Sequence, residues 1–114
     1  MTTGASSGGA HILVVDDDED ILRLLSMRLR ARGFRVSTVT SAEEGLARIA
    51  VDPPRAVVSD VRLPGRDGLA LFDEVRARHP SLPVILLTAH GTIPDAVEAT
   101  ARAANAAASS SSSA

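Results

Sequence analysis

Four aspartates and one threonine have the types and spacing to do chemistry. Asp16, Asp17 and Asp18 follow the apolar run "HILVV", Asp60 follows "AVVS", and Thr88 follows "PVILL". A carboxylate delivered to the end of a buried run is expensive unless something pairs with it. Here the partner of Asp60 is a second acidic group, Asp16 and Asp17, and a cation is needed to relieve their repulsion. Hard oxygen donors with no Cys or His beside them select Mg²⁺, Mn²⁺ or Ca²⁺ over zinc. Few protein carboxylates, with positions left for water and phosphate, favour Mg²⁺. A carboxylate beside such a cation can attack a phosphoryl donor and form an acyl phosphate. The cation neutralises charge spread over the transferring oxygens. The Thr88 hydroxyl could hydrogen-bond one of those oxygens.

Plainer readings exist for single residues. Asp18 and Asp20 read as the acidic start of a helix, where the dipole favours them. Asp60 alone would pass for a turn residue, a reading that its combination with Pro64 and Gly68 speaks against, and Thr88 for an ordinary strand-end hydroxyl. A helix start does not require a matching acid on another strand, so Asp16, Asp17 and Asp60 are read together as a site. His11, His79 and His90 lack a metal partner at helical spacing and read as structural or solvated.

The elements that must position these residues alternate along the chain. "HILVV" is a continuous apolar strand of the kind buried on both faces of a parallel sheet. "EDILRLLSMRLRARG" follows as a helix, with Ile21, Leu24, Leu25, Met27 and Leu29 as its apolar face and Gly33 as its stop. "FRVSTV" is a second, more exposed strand. Ser41 and Glu44 form a capping box for a helix that "DPP" ends near Ala50. "RAVVS" is the third strand. "DGLALFDEVRARHP" is the third helix, with Leu69, Phe72 and Val75 inward. "PVILL" is the fourth strand. Pro94 and Asp95 suit the first turn of a fourth helix, "IPDAVEATARAA". This order implies an α/β fold, a doubly wound parallel sheet with helices on both faces. "RAVVS" is expected between "HILVV" and "PVILL", with the ligand at the carboxyl ends of the strands. The organisation expected is a flexible leader over residues 1–10, one domain over 11–105, and a low-complexity Ala/Ser tail over 106–114. That tail carries no strand pattern where a fifth strand is expected, which leaves open a truncation, a linker or filler residues.

Composition narrows the classes. A chain of 114 residues can build a single core. Phe34 and Phe72 are its only aromatics, so that core is aliphatic. A net charge of −2 gives no electrostatic case for nucleic acid. There is no cysteine, hence no disulfide and no thiolate metal site. No run is long enough for a membrane span, and the N-terminus does not read as a signal peptide. A cytoplasmic location is the default expectation. All 12 basic residues are arginine.

Taken together, "ILVVDDDEDI", "VVSDVRLPGRDGLALF" and "PVILLTAHG" resemble the receiver domains of two-component response regulators, over Ile12 to about Ala101. Within that family the pattern is most similar to nitrogen-regulator-type activators of the sigma-54 polymerase. The resemblance implies a flavodoxin-like receiver fold whose fifth strand is missing or degraded here. It implies Asp60 as phosphoacceptor, Asp17 as direct Mg²⁺ ligand, Asp16 as its neighbour acting through water, and the backbone carbonyl of Arg62 as a further ligand. It implies Thr88 as the switch hydroxyl, Ala89 as the small residue beside the phosphate, and Pro64 and Gly68 as the loop after the acceptor. The implied partners are a sensor histidine kinase, the protein's own ATPase and helix-turn-helix output domain, and a second copy as homodimer. Receivers assist only their own phosphotransfer, so no separate enzyme activity is expected. Two departures stand out. The family lysine falls near Ser110, and the chain has no lysine; the aromatic switch residue of strand five is also missing. An alternative is therefore an interaction module of the same fold that no longer switches. A haloacid dehalogenase-like phosphohydrolase would want an acid two residues after Asp60, where Arg62 stands. A dinucleotide-binding fold would want G-x-G-x-x-G where Asp16, Asp17 and Asp18 stand.

Overall fold

The computed structural model describes residues 9–61, 68–87 and 92–113. The elements run β1 (His11–Val15), α1 (Glu19–Ala31), β2 (Arg35–Val39), α2 (Ala42–Val51), β3 (Ala56–Asp60), α3 (Gly68–Arg78), β4 (Val84–Leu87) and α4 (Ile93–Ser113). All described strand pairs are parallel, in the order β2-β1-β3-β4. β3 therefore lies between β1 and β4, as the apolar pattern predicts.

Alternation along each strand divides the core into two layers. Ile12, Val14, Ala56 and Val58 face α1 and α4, meeting Leu22, Leu25, Leu29, Ala96, Val97 and Ala104. Leu13, Val15 and Val57 face the other way, towards Ala42, Ile49, Leu71 and Val75 of α2 and α3. All five residues of β1 are buried, which explains why that run shows no polar alternation. The fractional burial of β2 matches its mixed sequence at the sheet edge.

Local chemistry sets the helix ends. The Asp18 carboxylate accepts the N–H groups of Asp20 and Ile21 and starts α1. Gly33, at φ +93°, supplies the left-handed conformation that ends it, and the Phe34 N–H turns back to the Leu29 carbonyl. At α2 the Glu44 N–H donates to Ser41 Oγ, and the Glu44 carboxylate accepts from the N–H and hydroxyl of Thr40, with weaker bonding from Ser41. The capping box is thus extended by one residue on its return arm.

Several inward assignments differ from the periodicity. On α1 the buried face is Leu22, Leu25, Ser26 and Leu29, while Met27 is 60% exposed. Leu22 sets the i, i+3, i+4, i+7 row, and Met27 falls beside it. On α3, Leu71 and Val75 are buried and Leu69 is 52% exposed, because Leu69 lies two residues, about 200°, around the helix from Leu71. Phe72 is half-buried, with the Arg76 guanidinium over its ring at 5.5 Å. The fourth helix extends past Ala104 to Ser113, so the Ala/Ser run up to that point is helical. Alanine is the strongest helix former and supports this continuation. The described sheet has four strands, in agreement with the absence of a fifth strand pattern.

Candidate metal and phosphoryl site

β1 and β3 run parallel with Val15 opposite Ser59, so the next residues, Asp16 and Asp60, leave the sheet at the same rim. The strand order runs outward from β1 to β2 on one side and through β3 to β4 on the other. The gap above β1 and β3 is the point where the winding reverses, the usual binding crevice of an open α/β sheet. Asp16, Asp17 and Asp60 meet there. Each offers a carboxylate oxygen, and these atoms lie within 4.8 Å of one another.

Backbone bonds fix the rim. The Asp16 N–H donates to the Val39 carbonyl at 3.2 Å, which holds the end of β1 to β2. The Val61 N–H donates to the Leu87 carbonyl at 3.2 Å, so the chain stays in the ladder one residue past Asp60. Ser59, fully buried, donates its hydroxyl to the Asp60 carbonyl at 3.0 Å. The Asp16 carboxylate accepts the Asp18 N–H at 2.9 Å. One short turn therefore orients Asp16 through Asp18, while the Asp18 side chain caps α1. The predicted helix-start role of Asp18 is met, but its N–H also serves the site. The Asp-x-Asp spacing, which favours a side chain bonding the backbone two residues on, is the signal for that second role.

The three carboxylates differ in environment. Asp16 is buried, Asp60 half-buried and Asp17 exposed. Burial, reinforced by the charges of Asp60, Asp17 and Asp18 and opposed by the Asp18 N–H, pushes the Asp16 carboxyl up to about 6. A carboxylate raised mainly by burial, with acidic neighbours adding to it, fits a hard divalent cation, which would offset the repulsion. The donor set, all oxygen, fits Mg²⁺ or Ca²⁺ and not zinc.

Of the other predicted site residues, Arg62, Pro64, Thr88 and Ala89 lie outside the described residues. Gly68 opens α3. Thr88 directly follows Leu87, whose Cα pairs with that of Asp60. His11, predicted to be structural, is buried far from the acidic rim in sequence register, with its Nε2 2.7 Å from Ser37 Oγ.

A doubly wound parallel sheet with three convergent carboxylates at its switch point defines an α/β domain whose acidic rim could hold a cation. The response regulator receiver domain model matches residues 12–108. The transcriptional regulatory protein GlrR of Escherichia coli is 48% identical over 91 residues, covering 80% of this chain and 20% of that protein. The DNA-binding transcriptional regulator NtrC of Salmonella typhimurium is 43% identical over 88 residues, covering 77% of this chain and 19% of that protein. The crystal structure of NtrX from Brucella abortus superposes with a TM-score of 0.79 at 29% identity, over 91% of this chain and 28% of that one. The chain belongs to the response regulator receiver domain family, with relatives of the nitrogen-regulator type. It spans about a fifth of the length of these curated relatives.

Proposed function

We propose that this receiver domain takes a phosphoryl group on Asp60 from a sensor histidine kinase, in a reaction that requires Mg²⁺. The observation that carries this reading is the convergence of Asp16, Asp17 and Asp60 at the rim of β1 and β3. Asp16, Asp17 and Asp60 would hold the ion, together with the backbone carbonyl of Arg62. When bound, the ion supplies positive charge to the oxygens of the transferring group. The Asp60 carboxylate oxygen attacks phosphorus. An O–P bond forms, the bond from phosphorus to the donor's imidazole nitrogen breaks, and its electron pair stays on that nitrogen. Thr88 donates its hydroxyl to a phosphoryl oxygen, and Ala89 leaves room beside it. The domain turns over no separate substrate, so its chemistry is limited to its own phosphotransfer. By similarity to regulators such as GlrR and NtrC, the output is transcription, and the setting is cytoplasmic.

A small phosphodonor with Mg²⁺ is expected to add the mass of one phosphoryl group to the chain. Asp60→Asn is expected to abolish the addition, and so is omission of the divalent ion. Labelling that persists in Asp60→Asn would overturn the assignment.

A second reading has its own support. The chain has no lysine, and its described sheet has four strands. Both favour a receiver-fold module that accepts phosphate without passing the change to a partner. Phosphorylation with no change in amide chemical shifts outside the acidic rim would favour this reading.

A further inference from the structure

Among the described residues, Ser59 and Thr100 are the polar side chains with no exposure at all. A buried hydroxyl costs free energy unless it is hydrogen-bonded. Thr100 meets that need inside its own helix, donating to the Ala96 carbonyl one turn back at 2.6 Å. Ser59 has no such turn, because it lies in β3, directly before Asp60. Its side chain points the same way as Val57, two residues back, into the apolar layer under α2 and α3. Its partners in the ladder are Val15 on β1 and Leu86 on β4. The hydroxyl turns forward and donates to the Asp60 carbonyl at 3.0 Å. An alanine would fill this place with no polar group to satisfy, so packing alone does not account for a serine.

That bond completes a two-sided grip on one peptide unit. The Asp60 carbonyl and the Val61 N–H belong to the same planar group. Its N–H donates to the Leu87 carbonyl on β4 at 3.2 Å, and its carbonyl accepts from Ser59. The peptide before Asp60 lies within β3, between β1 and β4. Asp60 is the last residue of β3, so the ladder restrains the chain less after it than before it. A rotation about the N–Cα bond of Asp60 would swing its side chain and the following peptide together. A following peptide held at both polar ends resists that rotation, and so fixes the direction in which the Asp60 side chain leaves the rim.

We infer that Ser59 is a positioning residue for phosphotransfer: its hydroxyl holds the 60–61 peptide and thereby aims the Asp60 carboxylate at the incoming phosphorus. This rests on the reading of Asp60 as phosphoacceptor. An attacking oxygen must sit about 3–3.5 Å from phosphorus, with its orbital aligned on the reacting centre. One carboxylate oxygen of Asp60 joins those of Asp16 and Asp17 in the acidic cluster, which leaves the other to attack. Both oxygens move together when the side chain swings, so the same grip serves the cluster and the attack. The Ser59 hydrogen is used on the carbonyl, and Ser59 takes no part in bond making.

Ser59→Ala removes the hydroxyl, while Ser59→Thr and Ser59→Val add similar bulk and differ in keeping it or losing it. Labelling of Asp60 is followed by mass at saturating Mg²⁺ and saturating small phosphodonor, which reads the rate constant apart from binding. Wild type and Ser59→Thr are expected to label at similar rates, and Ser59→Ala and Ser59→Val roughly tenfold or more slowly. Packing alone would slow Ser59→Thr and Ser59→Val alike. Hydrogen exchange followed by NMR on the metal-free, unphosphorylated chain reads the peptide directly. The Val61 amide is expected to exchange faster in Ser59→Ala and Ser59→Val than in wild type and Ser59→Thr. Equal labelling rates in wild type, Ser59→Ala and Ser59→Val overturn the inference and leave Asp60 as phosphoacceptor. So does a Ser59→Thr chain as slow as Ser59→Val, or a Val61 amide that does not respond. If the bulkier pair fails to fold, Ser59→Ala carries the test through its rate and its Val61 amide. A wild-type chain that takes up no label overturns the reading of Asp60, and this inference with it.

Discussion

Asp16 and Asp60 leave adjacent parallel strands at one rim and bring carboxylate oxygens within 4.8 Å of each other, with Asp17 completing the group. Asp16 is buried and held by the Asp18 N–H, so it cannot swing away to relieve the repulsion without breaking that bond. The arrangement crowds like charges together, and a bound cation would relieve that repulsion.

Neutralising any one of the three carboxylates should therefore have opposite effects with and without the ion. Asp16→Asn, Asp17→Asn and Asp60→Asn are each expected to weaken Mg²⁺ binding by roughly tenfold or more, by analogy with the loss of metal-site partners. Asp16→Asn, which removes the buried charge, is expected to raise the melting temperature of the metal-free chain. Calorimetric titration and thermal denaturation followed by circular dichroism read the two effects.

The pH dependence has two opposing parts. Asp16 is raised from 3.8 to about 6, so the folded state binds its proton more tightly than the unfolded state. That contribution is fully present below 3.8 and is lost as pH rises through about 6. Burial lowers the His11 imidazole below 6.5, with Arg35 and Arg48 acting in the same direction and Asp52 against them. That contribution is fully present above 6.5 and is lost as pH falls through the folded value. In metal-free melts, Asp16→Asn is expected to remove the first dependence and His11→Gln the second. Because the ion must displace the Asp16 proton, Mg²⁺ affinity is expected to fall as pH drops below about 6.

The N-cap of α1 also aims Asp16. Asp18→Ala leaves the N–H groups of Asp20 and Ile21 without their acceptor and is expected to destabilise the fold by about 1 kcal/mol. Asp18→Asn keeps an acceptor oxygen and is expected to restore most of that loss. Urea denaturation of the three proteins distinguishes these outcomes.

The layer between α1 and the sheet separates two leucine-like positions that look alike in sequence. Leu25 is fully buried and Met27 is 60% exposed. Leu25→Ala is expected to destabilise by about 2–5 kcal/mol, and Met27→Ala by no more than about 0.5 kcal/mol. Equal losses would contradict the helix rotation described here.

Much of the protein is legible without coordinates. Apolar runs of strand length, helices between them, Asp18 and Ser41 as starts and Gly33 as a stop fix the alternation, because these signals act over a few residues. The acidic residues at the ends of "HILVV" and "AVVS" show the same rim once the strands are parallel. What local pattern could not decide was the rotation of each helix. Met27 and Leu69 are as apolar as Leu22 and Leu71, and only packing against the two faces of the sheet chooses between them. The different exposures of Asp16, Asp17 and Asp60 likewise arise from contacts between segments distant in the chain, whereas the return arm of the α2 cap and the turn by which the Asp18 N–H holds Asp16 are local bonds within a few residues. Sequence set which side chains arrive at the rim, since strand polarity and period are local properties. Tertiary structure alone set their distances and their burial, because desolvation and charge repulsion depend on what the rest of the fold places around them.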